Sequence, residues 1–108
     1  MQKVGIQGHG PPWSGEIEGA PLGGNVSIIL TRLGRSEKGP DLHRHPYDET
    51  FFVRAGGASF SDGKTIVEAK AGDMVVVPAG TPHRFDGLED GVEMIDIHAS
   101  DRFSTEWL

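Results

Sequence analysis

Glycine and proline interrupt this chain so often that only short elements of secondary structure can form between them. The sequence has 16 glycines and 7 prolines in 108 residues, and both residue types mark turns and end helices. Short apolar or β-branched stretches lie between them, and Asp62-Gly63 is a strong hairpin signal. The sequence shows no heptads, internal repeats or long amphipathic helix. This pattern predicts an all-β fold, with an antiparallel sheet that is closed or sandwiched.

The strands are predicted to occupy the middle of the chain. Residues 1–24 are rich in glycine and proline and are expected to form an arm over the outside of the barrel or on a partner subunit. The barrel is predicted over residues 25–99, and residues 100–108 form a tail that ends in aromatic and apolar residues. Strands are predicted at 25–33, 42–45, 50–54, 58–61, 65–69, 74–77 (buried), 83–85 and 92–99, with turns at 56–57 and 88–91.

Length and charge restrict the class of protein. A chain of 108 residues suits one domain with a single modest core. No apolar run approaches the roughly 20 residues that span a membrane, and the first residues lack the apolar region of a signal peptide. With no cysteine, neither disulfides nor thiolate ligands are expected, and a cytoplasmic location is the default. A formal net charge of −6 argues against nucleic acid as a partner.

Three of the five histidines fall into two short patterns that predict a metal site. His43 and His45 are one residue apart, so on a strand their side chains leave the same face. A turn after them would return Glu49 to their side, and His83 would arrive from a distant hairpin. Imidazole and carboxylate ligands together suit one divalent transition metal, such as Fe, Mn, Zn, Ni or Co.

The two patterns closely resemble the paired motifs of the cupin superfamily. The first motif, Gly-x5-His-x-His-x3–4-Glu-x6-Gly, is matched from His43 to Gly56, although the leading glycine is displaced to Gly39. The second, Gly-x5-Pro-x-Gly-x2-His-x3-Asn, is matched from Gly72 to His83, with glycine in place of the final asparagine. The resemblance implies an antiparallel double-stranded β-helix (the jelly-roll or cupin barrel) forming a single domain over residues 1–108. It also implies kinship with small single-domain bacterial cupins.

Alternation along the strands predicts the surroundings of the metal. If Glu49 points inward, Phe51 and Val53 share its face, and Phe85 shares the face of His83. These three residues are the predicted substrate pocket, which favours a small organic substrate over a polar sugar phosphate. Three neutral imidazoles and one carboxylate around a divalent ion leave a net charge of about +1, which favours an anionic ligand. Lewis-acid chemistry and oxygen chemistry both fit this site.

Two further polar residues, Asp96 and His98, share a face of the last predicted strand and are weak candidates for an acid–base pair. The opposite face carries Ile95 and Ile97. Because apolar side chains suit the interior better, Asp96 and His98 are expected on the outside.

The ends of the chain and the outer face of the barrel carry large apolar groups. Trp13, Phe52, Trp107 and Leu108 are expected on or near the exterior. Because a small barrel with this much apolar surface tends to pair with another copy, we predict a homodimer.

Three functions are compatible with the sequence. The first is a metal-dependent enzyme acting on a small, fairly apolar oxygenated substrate; related cupins include dioxygenases, isomerases, cyclases and lyases. The second is a non-catalytic, metal-assisted barrel that binds or senses a small molecule. The third is a metal-free cupin of the sugar-epimerase kind, with a His–Asp base and a tyrosine acid. The third is disfavoured because such proteins typically lack the full ligand set, and the single tyrosine, Tyr47, lies in the ligand turn.

Overall fold

The computed structural model describes all 108 residues and consists almost wholly of antiparallel strands. The strands are β1 (Gly15–Ile17), β2 (Ser27–Leu33), β3 (His43–Arg44), β4 (Glu49–Ser61), β5 (Ile66–Lys70), β6 (Met74–Val77), β7 (Arg84–His98) and β8 (Glu106–Trp107). One short 3₁₀ turn, Ala20–Leu22, is the only helical element. The main sheet has the order β1-β2-β7-β4-β5 with β6 also paired to β4, while β3 and β8 form a separate pair. The all-β antiparallel prediction is confirmed.

Two long strands, β4 and β7, form the centre of the sheet and pair along their whole length. The predicted turns at 56–57 and 88–91 are wrong, because both positions lie inside these strands. Gly57 alone faces the four residues 88–91, so the chain bulges there without reversing. Gly56 has φ 72°, and a Cβ at this position would lie 2.0 Å from the carbonyl oxygen of Gly91. Glycine is therefore required where the two strands approach each other.

The short strand β3 does not form the predicted hairpin with β4. Its partners are β8 in the tail and His83, whose backbone exchanges two hydrogen bonds with that of His43. The reason is that both edges of the first part of β4 are already occupied, by β6 on one side and by β7 on the other. The β3 strand therefore takes its partners from elsewhere, and one of them is the C-terminal tail.

The hydrophobic core lies between the faces of these strands. Phe51, Val53 and Met94 are completely buried. For Phe51 and Val53 this agrees with the alternation that begins at Glu49, whereas Met94 shares the face of Asp96 and His98, which was expected to lie outside. The prediction that all of β6 is buried is wrong, since Met74 and Val76 are exposed while Val77 is buried. This strand lies at an edge of the sheet, so only alternate residues face the core.

The predicted arm over residues 1–24 contributes one strand to the sheet. Within it, β1 pairs with the free edge of β2, and the indole N–H of Trp13 donates to the carbonyl of Met94 at 3.0 Å. No helix in the structure has the length and apolar character needed to cross a membrane.

Candidate metal centre

The four predicted ligands come together from three parts of the chain. His43 lies on β3 and His45 just after it, Glu49 begins β4, and His83 directly precedes β7. All four side chains are buried, and one potential ligand atom from each lies within 4.8 Å of the others. The paired backbones of His43 and His83 bring the two motifs together, and Gly80 donates its N–H to the carbonyl of His45. The structure therefore places all four residues in one possible metal site.

Backbone carbonyls orient all three imidazoles in the same way. The Nδ1 atoms of His43, His45 and His83 lie 2.7, 2.7 and 2.9 Å from the carbonyl oxygens of Asp41, Ser104 and Thr81. A carbonyl oxygen can only accept, so each Nδ1 carries the proton and donates it. In a neutral imidazole, Nε2 then carries the free lone pair, which is the arrangement that metal-binding histidines adopt.

The donor atoms also fit a cation electrostatically. The Nε2 atoms of His45 and His83 lie 3.1 and 3.0 Å from Oε1 of Glu49. With Nδ1 protonated in both rings, neutral imidazoles would present lone pairs to a carboxylate oxygen, which is repulsive. A positive charge among these atoms relieves the repulsion. The residues present therefore fit a divalent metal ion, as the sequence predicts.

Burial and charge set the protonation of these groups. Burial raises the pKa of Glu49, but in the metal-free site hydrogen bonds that His45, His83 and His98 donate when they carry a proton on Nε2 outweigh burial and hold that pKa well below its usual range. Burial lowers the pKa of His43. For His45, burial acts in the same direction, but contacts with Glu49 and the Ser104 carbonyl outweigh it and raise the pKa. The carboxylate is thus ionised and ready to bind a cation at any moderate pH.

A cavity of about 380 Å³ opens beside three of the four proposed ligands. Its lining includes His43, His45 and Glu49 on one side and apolar groups such as Ile29 and Phe85 on the other. This volume suits a small organic molecule.

The three residues predicted to form the substrate pocket, Phe51, Val53 and Phe85, do not all border this cavity. Phe85 lines the cavity, but Phe51 and Val53 do not. The Phe51 ring packs against Phe60 and Phe85, with ring centroids 4.9 and 5.4 Å apart. Inward-pointing residues next to the ligands therefore fill the barrel below the site. Alternation along a strand predicts which side chains point into the barrel, but not which of them fill its core and which border the cavity.

Asp96 and His98 lie inside the barrel, so the expectation that they face outward is wrong. Each is 3% exposed, whereas Ile95 and Ile97 are half-buried on the outer face. The cause is the register of β7, which pairs His98 with Glu49 and Asp96 with Phe51. Cross-strand neighbours point to the same side of a sheet, so Asp96 and His98 share the inner face with Glu49.

The C-terminal tail contributes residues that were not predicted from the sequence. Ser104 supplies the carbonyl that orients His45, and Phe103 and Trp107 line the cavity. The tail is held by β8 and by two hydrogen bonds from Arg44 to Glu106, of 2.9 and 3.0 Å. The aromatic residues of the tail were its only sequence signal, and they indicated exterior coverage rather than a wall of the site.

Replacement of Asp96 by asparagine should make the metal-free protein more stable at neutral pH. Burial raises the pKa of Asp96 well above its usual range, Glu49 raises it further, and the Thr31 hydroxyl opposes this weakly. A carboxyl whose pKa is raised by folding stabilises the protein below its unfolded pKa, and this contribution is lost as the pH rises. We therefore expect Asp96→Asn to gain about 1–3 kcal/mol over the wild type at pH 7 and less at pH 4. Urea unfolding in the presence of a chelator measures this, and identical pH profiles for the two proteins would contradict it.

Comparison with known proteins extends the likeness beyond the two motifs. The model of the Cupin domain family matches residues 30–98. An acireductone dioxygenase from Pectobacterium atrosepticum is 44% identical over 59 residues, covering 51% of this chain and 34% of that protein. An uncharacterised protein from Streptomyces coelicolor is 30% identical over 53 residues, covering 49% of this chain and 50% of that protein. The chain thus spans half or less of the length of these curated relatives.

Solved structures agree with the fold. Oxalate decarboxylase from Bacillus subtilis superimposes with a TM-score of 0.77 and 27% identity, covering 88% of this chain and 28% of that one. Another structure of the same enzyme, described for its Mn(II) centres, has a TM-score of 0.74 and 26% identity, covering 84% and 26% of the two chains. The predicted double-stranded β-helix is therefore confirmed.

Proposed function

Because this chain belongs to the cupin family, we propose that it is a metal-dependent enzyme acting on a small, fairly apolar, oxygenated substrate. The proposal covers two classes of reaction. The first is dioxygenation, and the second is isomerisation, cyclisation or lyase chemistry. The observation that carries the proposal is the convergence of three carbonyl-oriented imidazoles and one ionised carboxylate at the edge of a cavity. A divalent metal held there supplies Lewis-acid activation of a substrate oxygen or, if it is redox-active, electron transfer.

The residues of the chain orient the proposed ligands and position the substrate. His43, His45 and His83 contribute no charge when neutral, and Glu49 contributes one negative charge. A divalent ion is therefore only partly neutralised, and an anionic oxygen of the substrate is attracted to the site. The carbonyls that hold each Nδ1 keep the rings oriented during ligand exchange. Ile29, Phe85 and other apolar groups of the cavity wall accept the carbon skeleton.

The named relatives support a metal enzyme at this level of detail. One is a dioxygenase, and the other is a decarboxylase with Mn(II) centres. Because the chain covers only part of each protein, their reactions and substrates are not transferred to it. The metal is proposed to be one of Fe, Mn, Zn, Ni or Co, bound by His43, His45, Glu49 and His83.

Elemental analysis followed by an activity screen tests the proposal. Protein purified without an affinity tag is expected to contain about one metal ion per chain. Apoprotein is then loaded separately with Fe(II), Mn(II), Ni(II) or Zn(II) and screened against catechols, diketones and keto acids. Oxygen uptake with the Fe(II) or Mn(II) form would indicate dioxygenation. Substrate loss without oxygen uptake would indicate the second reaction class.

A histidine outside the site provides a matched control. The double variant His43→Ala, His45→Ala should lose both metal and turnover, whereas His9→Ala, in the exposed arm, should retain both. Tight metal binding with no turnover on any compound would favour the alternative of a non-catalytic binding or sensing barrel. Absence of metal uptake by the wild type would refute a metal-dependent function altogether.

Other features of the chain remain predictions. The homodimer is supported by the exposed apolar side chains of Phe52, Met74 and Val76 on neighbouring strands. We also propose a cytoplasmic location and no nucleic-acid or membrane partner, which are expectations based on composition and charge. The single domain over residues 1–108, with its arm, barrel and tail, is likewise proposed.

A further inference from the structure

Two buried polar atoms near the metal site have no hydrogen-bond partner. They are Oδ1 of Asp96 and Nε2 of His98, the only buried side-chain nitrogen or oxygen atoms in this condition. His98 Nε2 lies 3.0 Å from Oε2 of Glu49, but this contact is not aligned as a hydrogen bond. Buried polar atoms are almost always paired, because leaving one unpaired is costly. Two such atoms on one strand therefore indicate a role outside the resting structure.

Both residues border the cavity beside the ligand set. Asp96 and His98 are two residues apart on β7 and leave the same inner face of the sheet. They line the same cavity as His43, His45 and Glu49. A molecule in this cavity can therefore reach the metal ligands and this pair of residues together.

The hydrogen bonds of Tyr47 determine which nitrogen of His98 carries the proton. The Ser104 N–H donates to the Tyr47 hydroxyl at 3.1 Å. The hydroxyl oxygen lies 2.7 Å from Nδ1 of His98, which is its other hydrogen-bond partner and can accept, so the hydroxyl proton is assigned to that contact. In the neutral ring Nε2 then carries the hydrogen, which faces both the cavity and Oε2 of Glu49, 3.0 Å away. A substrate oxygen in the cavity would compete with Glu49 for this donor.

Asp96 offers a second donor. The Thr31 hydroxyl donates to its Oδ2 at 2.7 Å, which leaves Oδ1 as the free oxygen. Burial is the largest cause of the raised pKa of Asp96 and favours the neutral acid, while Glu49 adds to the shift only when no cation offsets its charge. Because Oδ2 is occupied as an acceptor, the proton of the neutral acid lies on Oδ1.

We propose, building on the function proposed above, that Asp96 Oδ1 and His98 Nε2 form a second anchor that donates hydrogen bonds to an acceptor oxygen of the substrate. The substrate class that fits is a small organic anion with enough oxygens for both the metal site and the anchor, such as a 2-oxo acid. Some of its oxygens would bind at the metal site, and a remaining oxygen would accept from the anchor. Ile29, Leu33 and Phe85 border the same cavity and leave room for a short hydrocarbon chain.

Calorimetric titration of the Zn(II)-loaded protein with 2-oxobutanoate tests the anchor without turnover by a redox metal. Asp96→Leu removes the donor, whereas Asp96→Asn keeps one, because its amide can donate to the cavity while its oxygen accepts from Thr31. We expect Asp96→Leu and His98→Phe to weaken binding at least about tenfold, and Asp96→Asn to stay within about threefold of the wild type. Glu93→Gln, on the same strand but paired with Arg54 outside the cavity, should bind normally.

Zinc content and melting temperature are measured for each variant. If zinc content is unchanged, weaker substrate binding by Asp96→Leu together with near-normal binding by Asp96→Asn supports the anchor. A purely structural role for Asp96 would not make affinity depend on whether the replacement side chain can donate a hydrogen bond. His98→Phe is an independent variant if Asp96→Leu does not fold. Unchanged affinity in Asp96→Leu or His98→Phe, or no binding by the Zn(II)-loaded wild type, would overturn the anchor but leave the metal-dependent function standing. Failure of the wild type to bind zinc or any other tested metal would overturn both.

Discussion

Replacement of Glu49 by alanine is expected to lower metal affinity by more than about 100-fold. Loss of a hydrogen-bond partner behind a metal ligand typically costs 10–100-fold in affinity, so loss of the ligand itself should cost more. Glu49 is the only anionic member of the set, and its Oε1 lies 3.0–3.1 Å from two of the imidazole nitrogens. Chelator competition with Zn(II) and elemental analysis of the purified variant measure the effect.

Asp48 is a matched control for Glu49. It precedes Glu49 in the chain, but its carboxylate is exposed and accepts a hydrogen bond from the backbone of Ala79. Asp48→Asn keeps an acceptor for that bond and should leave metal affinity unchanged. If Glu49→Ala retained one equally tight metal per chain, the ligand assignment would be wrong. The same samples report stability, because a ligand that binds only the folded state raises the melting temperature.

Replacement of Phe51 by alanine is expected to lower the free energy of unfolding more than any other substitution proposed for this protein. Phe51 is completely buried, and its ring packs against Phe60 and Phe85 and lies near His83. Truncation of a buried phenylalanine leaves a cavity and typically costs about 3–5 kcal/mol. We therefore expect a loss of that size in urea unfolding and a fall in melting temperature of more than about 10 °C.

The neighbouring residue, Phe52, is the matched control for Phe51. Phe52 has the same side chain on the same strand but points to the opposite face and is 41% exposed. Phe52→Ala should cost much less than Phe51→Ala in the monomer. Equal losses in the two variants would contradict the placement of the core. A large loss in Phe52→Ala that depended on protein concentration would instead support the predicted homodimer.

The grouping of His43, His45 and Glu49 was predictable because its signal is local. His43 and His45 leave one face of a short extended segment, and a turn returns Glu49 to them within four residues. His83 was predicted from the resemblance of its surroundings to a second motif. The two hydrogen bonds between the backbones of His43 and His83 explain why it lies beside the other three residues. The fold class was also predictable, because frequent glycines and prolines disfavour helices. The expectation of short strands fails for β4 and β7, which run through their glycines for 13 and 15 residues.

The errors concern long-range pairing. Asp96 and His98 were placed outside by the rule that polar residues face water, but the register of β7 against β4 places them opposite Phe51 and Glu49. The partner of β3 was also predicted wrongly, since its partner β8 lies at the far end of the chain. Neither pairing leaves a signal in the residues nearby.

The sequence by itself therefore determined the all-β class, the grouping of His43, His45 and Glu49, and the inward face of the strand that begins at Glu49. These properties follow from side-chain alternation and turn chemistry, which act over a few residues. Only the tertiary structure decided that Phe51 closes the core while Phe85 lines the cavity, that the tail orients His45, and that Asp96 and His98 face the site. Those properties depend on strand register and barrel closure, and a shift of one residue in register reverses the face of every side chain on a strand.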